Sequence, residues 1–231
     1  MQDVLRENLA EINRKIAETA KRAGRNADEI KLVAVSKTHP SAVLREAIAA
    51  GAAILGENKV QEAEGKIDEI GRGAAEWHLI GHLQSNKARK AVKLFDLIHT
   101  LDSVELADRL ERICKEENCA ELSVLIQVDL ANEATKNGIE VEELPKLAEF
   151  VRDCECLKLK GLMTIPPFFE DVEKVRPFFR KLRELRDEFV PNGELSMGMS
   201  HDFEVAIEEG ATLVRVGTAI FGERNYKVSS F

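Results

Sequence analysis

Eight short apolar runs recur along this chain, separated by longer polar stretches of helical spacing, and that alternation constrains the fold more than any other feature. The runs fall at residues 32–36, 53–56, 77–80, 97–101, 123–128, 159–164, 194–197 and 212–216. Short continuous apolar runs are what strands buried on both faces require. The stretches between them, residues 41–50, 60–70, 87–95, 104–117, 141–151, 172–189 and 203–209, read as amphipathic helices. Repeated eight times, such a unit predicts an α/β fold, a (β/α)8 barrel of TIM type. A doubly wound open sheet would carry a glycine-rich turn after the first strand, where this chain has Lys37, Thr38, His39 and Pro40. Ahead of the first run, Val4, Leu5, Leu9, Ile12, Ile16 and Ala20 predict an extra N-terminal helix over residues 4–23. Ser41, Ser85, Ser103 and the Ser200 to Asp202 turn are the expected helix caps.

No linker or low-complexity tract interrupts the 231 residues, so one domain over 1–231 is expected. The 44% hydrophobic content suffices for a full core, and a formal charge of −8 opposes binding to nucleic-acid backbones. The N-terminus is charged throughout and reads as neither a signal peptide nor a membrane anchor, which makes a cytoplasmic location the expectation. Cys114, Cys119, Cys154 and Cys156 have spacings that suit no zinc site, and reduced thiols with no bound metal are expected.

In such a barrel the chemistry sits where the strands end. The first strand ends in Lys37. Flanked by Val33 and Val35, its amine is open to partial desolvation, which lowers a lysine from about 10.4 and favours the neutral form that attacks an aldehyde. A solvated surface lysine is the alternative. After the seventh and eighth strands, Gly198 with Ser200, and Gly217 with Thr218, pair a permissive backbone with a hydroxyl, and a helix opens at Asp202. Both loops suit a phosphate, although turn and cap roles would explain either alone. Alternation turns Arg215 to the same face as Leu213 and Gly217, into the barrel, where its charge needs a partner. That partner is a glutamate or a heterocycle nitrogen, to which a guanidinium donates without giving up its proton.

Six motifs in order then carry a family resemblance: VAVSKT at 33–38; GEN at 56–58 with Gln61 and Glu62; WHLIG at 77–81 with LQSNK at 83–87; GLMT at 161–164; LSMGMS at 195–200; and RVGT at 215–218 with Phe221 and Gly222. Together, from about Leu32 to Tyr226, the chain resembles the pyridoxal-phosphate homeostasis protein family, relatives of the alanine racemase N-terminal barrel. The resemblance implies a fold-type-III barrel that holds pyridoxal 5'-phosphate as a Schiff base on Lys37. Arg215 would partner the pyridine nitrogen, and Ser200, Gly217 and Thr218 would cradle the phosphate. Asn58 and Met163 would line the ring. Lys136 resembles a position near the mouth, where a second amine would assist cofactor entry unless it is simply solvated.

Racemisation needs a second base on the opposite face of the substrate carbon. In alanine racemase, as the family is known, that tyrosine comes from a partner subunit, in a dimer completed by an additional C-terminal β-domain. This chain runs only a little beyond the eighth strand and has one tyrosine, Tyr226. An arginine on the ring nitrogen also makes the ring a poorer electron acceptor than a protonated one. The expectation is therefore a monomeric protein that binds the cofactor, buffers it and delivers it to pyridoxal-phosphate-dependent apoenzymes. The alternative is a pyridoxal-phosphate-dependent amino-acid racemase; a barrel acting on a phosphorylated metabolite is a third reading.

Overall fold

The computed structural model describes residues 2–131 and 137–222, so Lys136 and Tyr226 lie outside the described residues. Eight parallel strands close in chain order: β1 (Lys31–Val35), β2 (Ile54–Glu57), β3 (Glu76–Leu79), β4 (Leu97–Leu101), β5 (Leu122–Gln127), β6 (Leu157–Met163), β7 (Glu194–Met199) and β8 (Leu213–Val216). Val33 sits in register with Ile54 on one side and Arg215 on the other, so β1 joins the two ends of the sheet. All eight expected strands are present, with ends displaced by two residues at most.

The helices that follow are α1 (Gln2–Arg22), before the barrel, then α2 (Ser41–Ala49), α3 (Val60–Ile70), α4 (Ala88–Leu94), α5 (Val104–Glu116), α6 (Leu144–Asp153), α7 (Arg176–Phe189), α8 (Phe203–Glu208) and α9 (Thr218–Phe221). The one-turn helix α9 has no counterpart in the sequence reading, because four residues are too few to show a helical period. Helix α1 packs against α8 and α9, where Asn8 Nδ2 donates to Ile220 O at 2.8 Å. Its stripe of Leu5, Leu9, Ile12, Ile16 and Ala20 is buried. Val4, expected on that stripe, is 57% exposed, since one residue before Leu5 is about 100° around the helix.

Alternation along each strand builds two apolar layers. Val33, Val35, Ile54, Ile80, Leu97, Leu125, Met163 and Leu213 cluster inside the barrel. Ala34, Leu55, Trp77, Leu79, Ile98, Leu162, Leu195 and Val214 face outward and join the helices in the larger core.

Of the expected caps only Ser103 acts as one, accepting from Leu106 N at 3.2 Å. Ser41 lies inside α2, after an uncapped Pro40, and Ser85 lies within a one-turn 3-10 helix after Gln84. Both residues have entered the helix, so their hydroxyls no longer face the first amides. Asp202 does stand at the start of α8, but its carboxylate turns back to accept from Met199 N at 2.6 Å.

Candidate cofactor-binding site

The strand tops converge on a cavity of about 260 Å³ lined by Val35, Lys37, Asn58, Ile80, Ile165, Met199, Ser200, His201, Arg215, Gly217 and Thr218. Six of the seven residues singled out by sequence meet there. The seventh, Met163, is fully buried in the inner apolar cluster with Val35 and Ile80, both of which reach the cavity wall. No residue of α8 lines the cavity, because the Asp202 carboxylate draws the preceding turn onto itself.

Lys37 follows β1 in the inward phase of Val33 and Val35. The turn that carries it is strained: Thr38, a β-branched residue, has φ of 70°. A buried network outside the barrel wall holds that turn. Glu62 of α3 accepts from Thr38 N at 2.5 Å and from Lys66 Nζ at 2.7 Å. Lys66 also donates to Ser36 O at 2.9 Å and to Glu57 Oε1 at 2.7 Å, and Ser36 Oγ donates to the same Glu57 oxygen at 2.6 Å. Burial pushes Glu57 above the ordinary carboxylate range despite the charge and hydrogen bond of Lys66, and its Oε2 has no partner. Burial also pushes Glu62 up, but the bonds from Lys66 and Thr38 outweigh it and hold Glu62 below that range.

Asn58 reaches the cavity because Gly81 permits it: a Cβ at Gly81 would lie 2.3 Å from Asn58 O. Its side-chain Oδ1 is buried without a partner. At the phosphate loops, Gly198 has φ of 88°, and a Cβ there would lie 2.5 Å from Ala206 Cβ, so only glycine fits. Ser200 Oγ accepts from Gly217 N at 3.2 Å, which ties the loop after β7 to the one after β8.

Arg215 is 4% exposed and has no carboxylate hydrogen-bonded to its guanidinium among the described residues. The glutamate partner open to the sequence reading is absent there. Its guanidinium donates instead to Ser196 Oγ at 2.5 Å and Thr164 O at 2.9 Å. Burial lowers it to about 10, with the Asp202 charge acting in the opposite sense, so it remains charged at neutral pH. A buried cation held by neutral acceptors retains spare N–H donors, and Asn58, whose amide oxygen has no partner, lines the same cavity. Those two features, with a hydroxyl- and glycine-lined end, fit a flat heterocycle bearing a phosphate.

Sequence reasoning assigned no role to Glu57, Glu62, Lys66, Ser36 or Ser196. The spacing of Glu62 and Lys66, one helical turn apart, was the available signal for the first network.

Fold and mouth together define a barrel of the alanine racemase type, and the model of the family described as alanine racemase, N-terminal domain, matches residues 8–225. The pyridoxal phosphate homeostasis protein of Aquifex aeolicus (strain VF5) is 47% identical over 225 residues, covering 95% of this chain and 98% of that one. Among solved structures, PipY of Synechococcus elongatus PCC7942, with pyridoxal phosphate (PLP) bound, is 41% identical with a TM-score of 0.76, covering 90% of this chain and 100% of that one. An unknown protein from Bifidobacterium adolescentis is 33% identical with a TM-score of 0.88, covering 95% of each chain. The chain belongs to the pyridoxal phosphate homeostasis protein family.

Proposed function

We propose that this protein binds pyridoxal 5'-phosphate at the barrel mouth, as a Schiff base on Lys37, and serves intracellular cofactor homeostasis by buffering or delivering it. The observation that carries this reading is the single cavity that gathers Lys37, Arg215, Asn58, Ser200, Gly217 and Thr218. The bound cofactor supplies an aldehyde, an electron-accepting ring and a phosphate dianion. Lys37 Nζ, when neutral, attacks the aldehyde carbon; water leaves and a carbon–nitrogen double bond remains. Arg215 donates to the ring nitrogen and keeps its own proton. Ser200, Thr218 and the amides around Gly217 receive the phosphate, and Asn58 borders the ring, with Met163 supporting the wall beneath.

The same Arg215 favours a carrier over a catalyst. A ring nitrogen that only accepts a hydrogen bond stays uncharged and stabilises a substrate carbanion poorly. Amino-acid racemisation is the rival use of the same fold. The further reading is of a one-domain cytoplasmic monomer that hands the cofactor to pyridoxal-phosphate-dependent apoenzymes. No helix among the described residues is long and apolar enough to cross a membrane.

Borohydride reduction of protein incubated with the cofactor tests the central claim. The expected result is a visible-edge absorbance that bleaches on reduction and a reduced adduct on the Lys37 peptide, both lost in Lys37→Ala. An adduct elsewhere, or one that survives Lys37→Ala, overturns it. Steady-state turnover of alanine or another amino acid by protein free of contaminating enzymes would overturn the carrier reading alone.

A further inference from the structure

The polar path that begins at Arg215 continues through the barrel, away from the cavity. Ser196 Oγ, which accepts from Arg215, lies 2.8 Å from His99 Nδ1. His99 Nε2 lies 2.9 Å from His78 Nδ1, and His78 Nε2 lies 2.8 Å from Glu76 Oε1. These residues stand on β8, β7, β4 and β3. The path leads to a second cavity of about 260 Å³ at the opposite pole, where the strands begin and Glu76 is half-exposed.

Ser196, His99 and His78 are buried beside the apolar cluster inside the barrel. Polar groups in such a place are costly unless each is paired, and every one of these is paired on both sides. The two ends fix the direction of the chain. A guanidinium can only donate, and an ionised carboxylate can only accept. Burial, reinforced by the charge of Arg215, holds His99 well below the ordinary histidine value and keeps it neutral. The hydrogen bond from His78, opposed by burial, holds Glu76 below the ordinary carboxylate range and keeps it ionised. With one N–H on each imidazole, one assignment satisfies all four links. Ser196 donates to His99 Nδ1, His99 Nε2–H donates to His78 Nδ1, and His78 Nε2–H donates to Glu76.

We propose that Ser196, His99 and His78 are positioning residues for Arg215, a one-directional relay that carries the charge state of Glu76 at the lower pole to the ring-nitrogen end of the cofactor cavity. The inference rests on the cofactor reading given above. The lower cavity is faced by Lys31, Glu76, His78, Asp96, Lys160 and Glu194, from β1, β3, the turn before β4, β6 and β7. Glu194 is paired with Lys31, and Asp96 with Arg72 and Trp77 N, which leaves Glu76 as the carboxylate that terminates the relay. A proton added to His78 would sit on Nδ1 and reverse the chain. His99 would then carry its proton on Nδ1, and Ser196 would have to accept from His99 and Arg215 together, loosening the hold on the guanidinium.

Two measurements test the relay. Nitrogen-15 NMR of the cofactor-free protein should place the shared-chain proton of His78 and of His99 on Nε2; a proton on Nδ1 of either overturns the proposal. With the cofactor bound, Ser196→Ala, Glu76→Gln and the double variant are compared by cofactor affinity and by the pH profile of the cofactor absorbance. Ser196→Ala should weaken binding about tenfold, as expected for one lost bond to a charged group, and displace the profile. Glu76→Gln alone should displace the profile in a smaller but measurable way, and should do nothing further once Ser196 is alanine. Additive effects, or a Glu76→Gln profile superimposable on the unaltered one, overturn the relay while the cofactor reading stands. Unaltered protein that takes up no cofactor removes that reading instead, and the relay is then judged by the tautomers alone.

Discussion

Two buried polar networks meet the barrel mouth from opposite sides of its wall, and they are built on different principles. The one behind Lys37 is ionic and local: Lys66 of α3 joins Glu57 at the end of β2, Glu62 of α3 and the Ser36 carbonyl at the end of the neighbouring β1. The one behind Arg215 has a cation at the cavity and an anion at the far pole, joined through one hydroxyl and two imidazoles from three further strand positions on β7, β4 and β3. The first stabilises a strained turn, since its charges pull directly on Thr38 N through Glu62. The second aligns a donor, and its value lies in direction more than in strength. An anchor that must resist strain is served by charge; a hydrogen-bond donor that must keep its aim is served by a chain of groups whose roles leave no choice.

Breaking the ionic network should have the largest effect on the protein. Lys66 is 7% exposed and Glu57 is fully buried, so Lys66→Met leaves a buried carboxylate unpaired. Loss of about 3–5 kcal/mol of stability is expected, read as a lowered midpoint in denaturant titration. Pairing that change with Glu57→Gln removes the orphaned charge and should recover a substantial part of the loss. A double variant no more stable than Lys66→Met would show that the network does not act as an ion pair.

The same chemical change made once in each network sharpens the contrast. Ser36→Ala removes one of two donors to Glu57 Oε1, leaving Lys66 in place, and should cost about 1 kcal/mol. Ser196→Ala leaves Arg215 Nη1 and His99 Nδ1 without a partner, although Arg215 keeps its bond to Thr164 O, and about 2–3 kcal/mol is expected. The order of these two losses in thermal or denaturant unfolding carries the information. A larger loss for Ser36→Ala would mean that the inner chain is compensated by bound water.

How far each network could be read from sequence follows from the same difference. The barrel was legible because burying a strand on both faces requires an apolar run, and eight such runs stand in the chain. Lys37 and Arg215 were legible from strand phase, since a residue's side of the wall depends only on counting by two. Of the outer network, Glu62 and Lys66 share a helix face and so left a local trace. Ser196, His99 and His78 left none. They stand 97 and 21 residues apart and touch only because the barrel closes with a particular stagger between strands. Ser41 and Ser85 were misplaced as caps for a related reason: a one-residue shift in where a helix begins decides which hydroxyl faces its amides.

The smallest effect separates the networks by pH. His99 has a folded value well below the ordinary 6.5, so the unfolded chain takes up a proton that the folded one refuses. The stability His99 contributes is therefore complete above about 6.5 and declines as the pH falls below it, by at most about 1.4 kcal/mol per pH unit for one proton. In the ionic network the signs oppose each other. Glu62, held low, contributes stability that is lost in acid below its unfolded value of 4.5. Glu57, held high, reduces stability above 4.5 and returns it as the pH falls through its raised folded value. His99 meets no such opposition within its own chain. Unfolding free energies measured from pH 8 to pH 5 should therefore fall more steeply for the unaltered protein than for His99→Gln, whose side chain takes up no proton in that range. Parallel curves would mean that His99 is protonated in the folded state, and a protonated His99 could not accept from Ser196, so the neutral chain behind Arg215 would be lost with it.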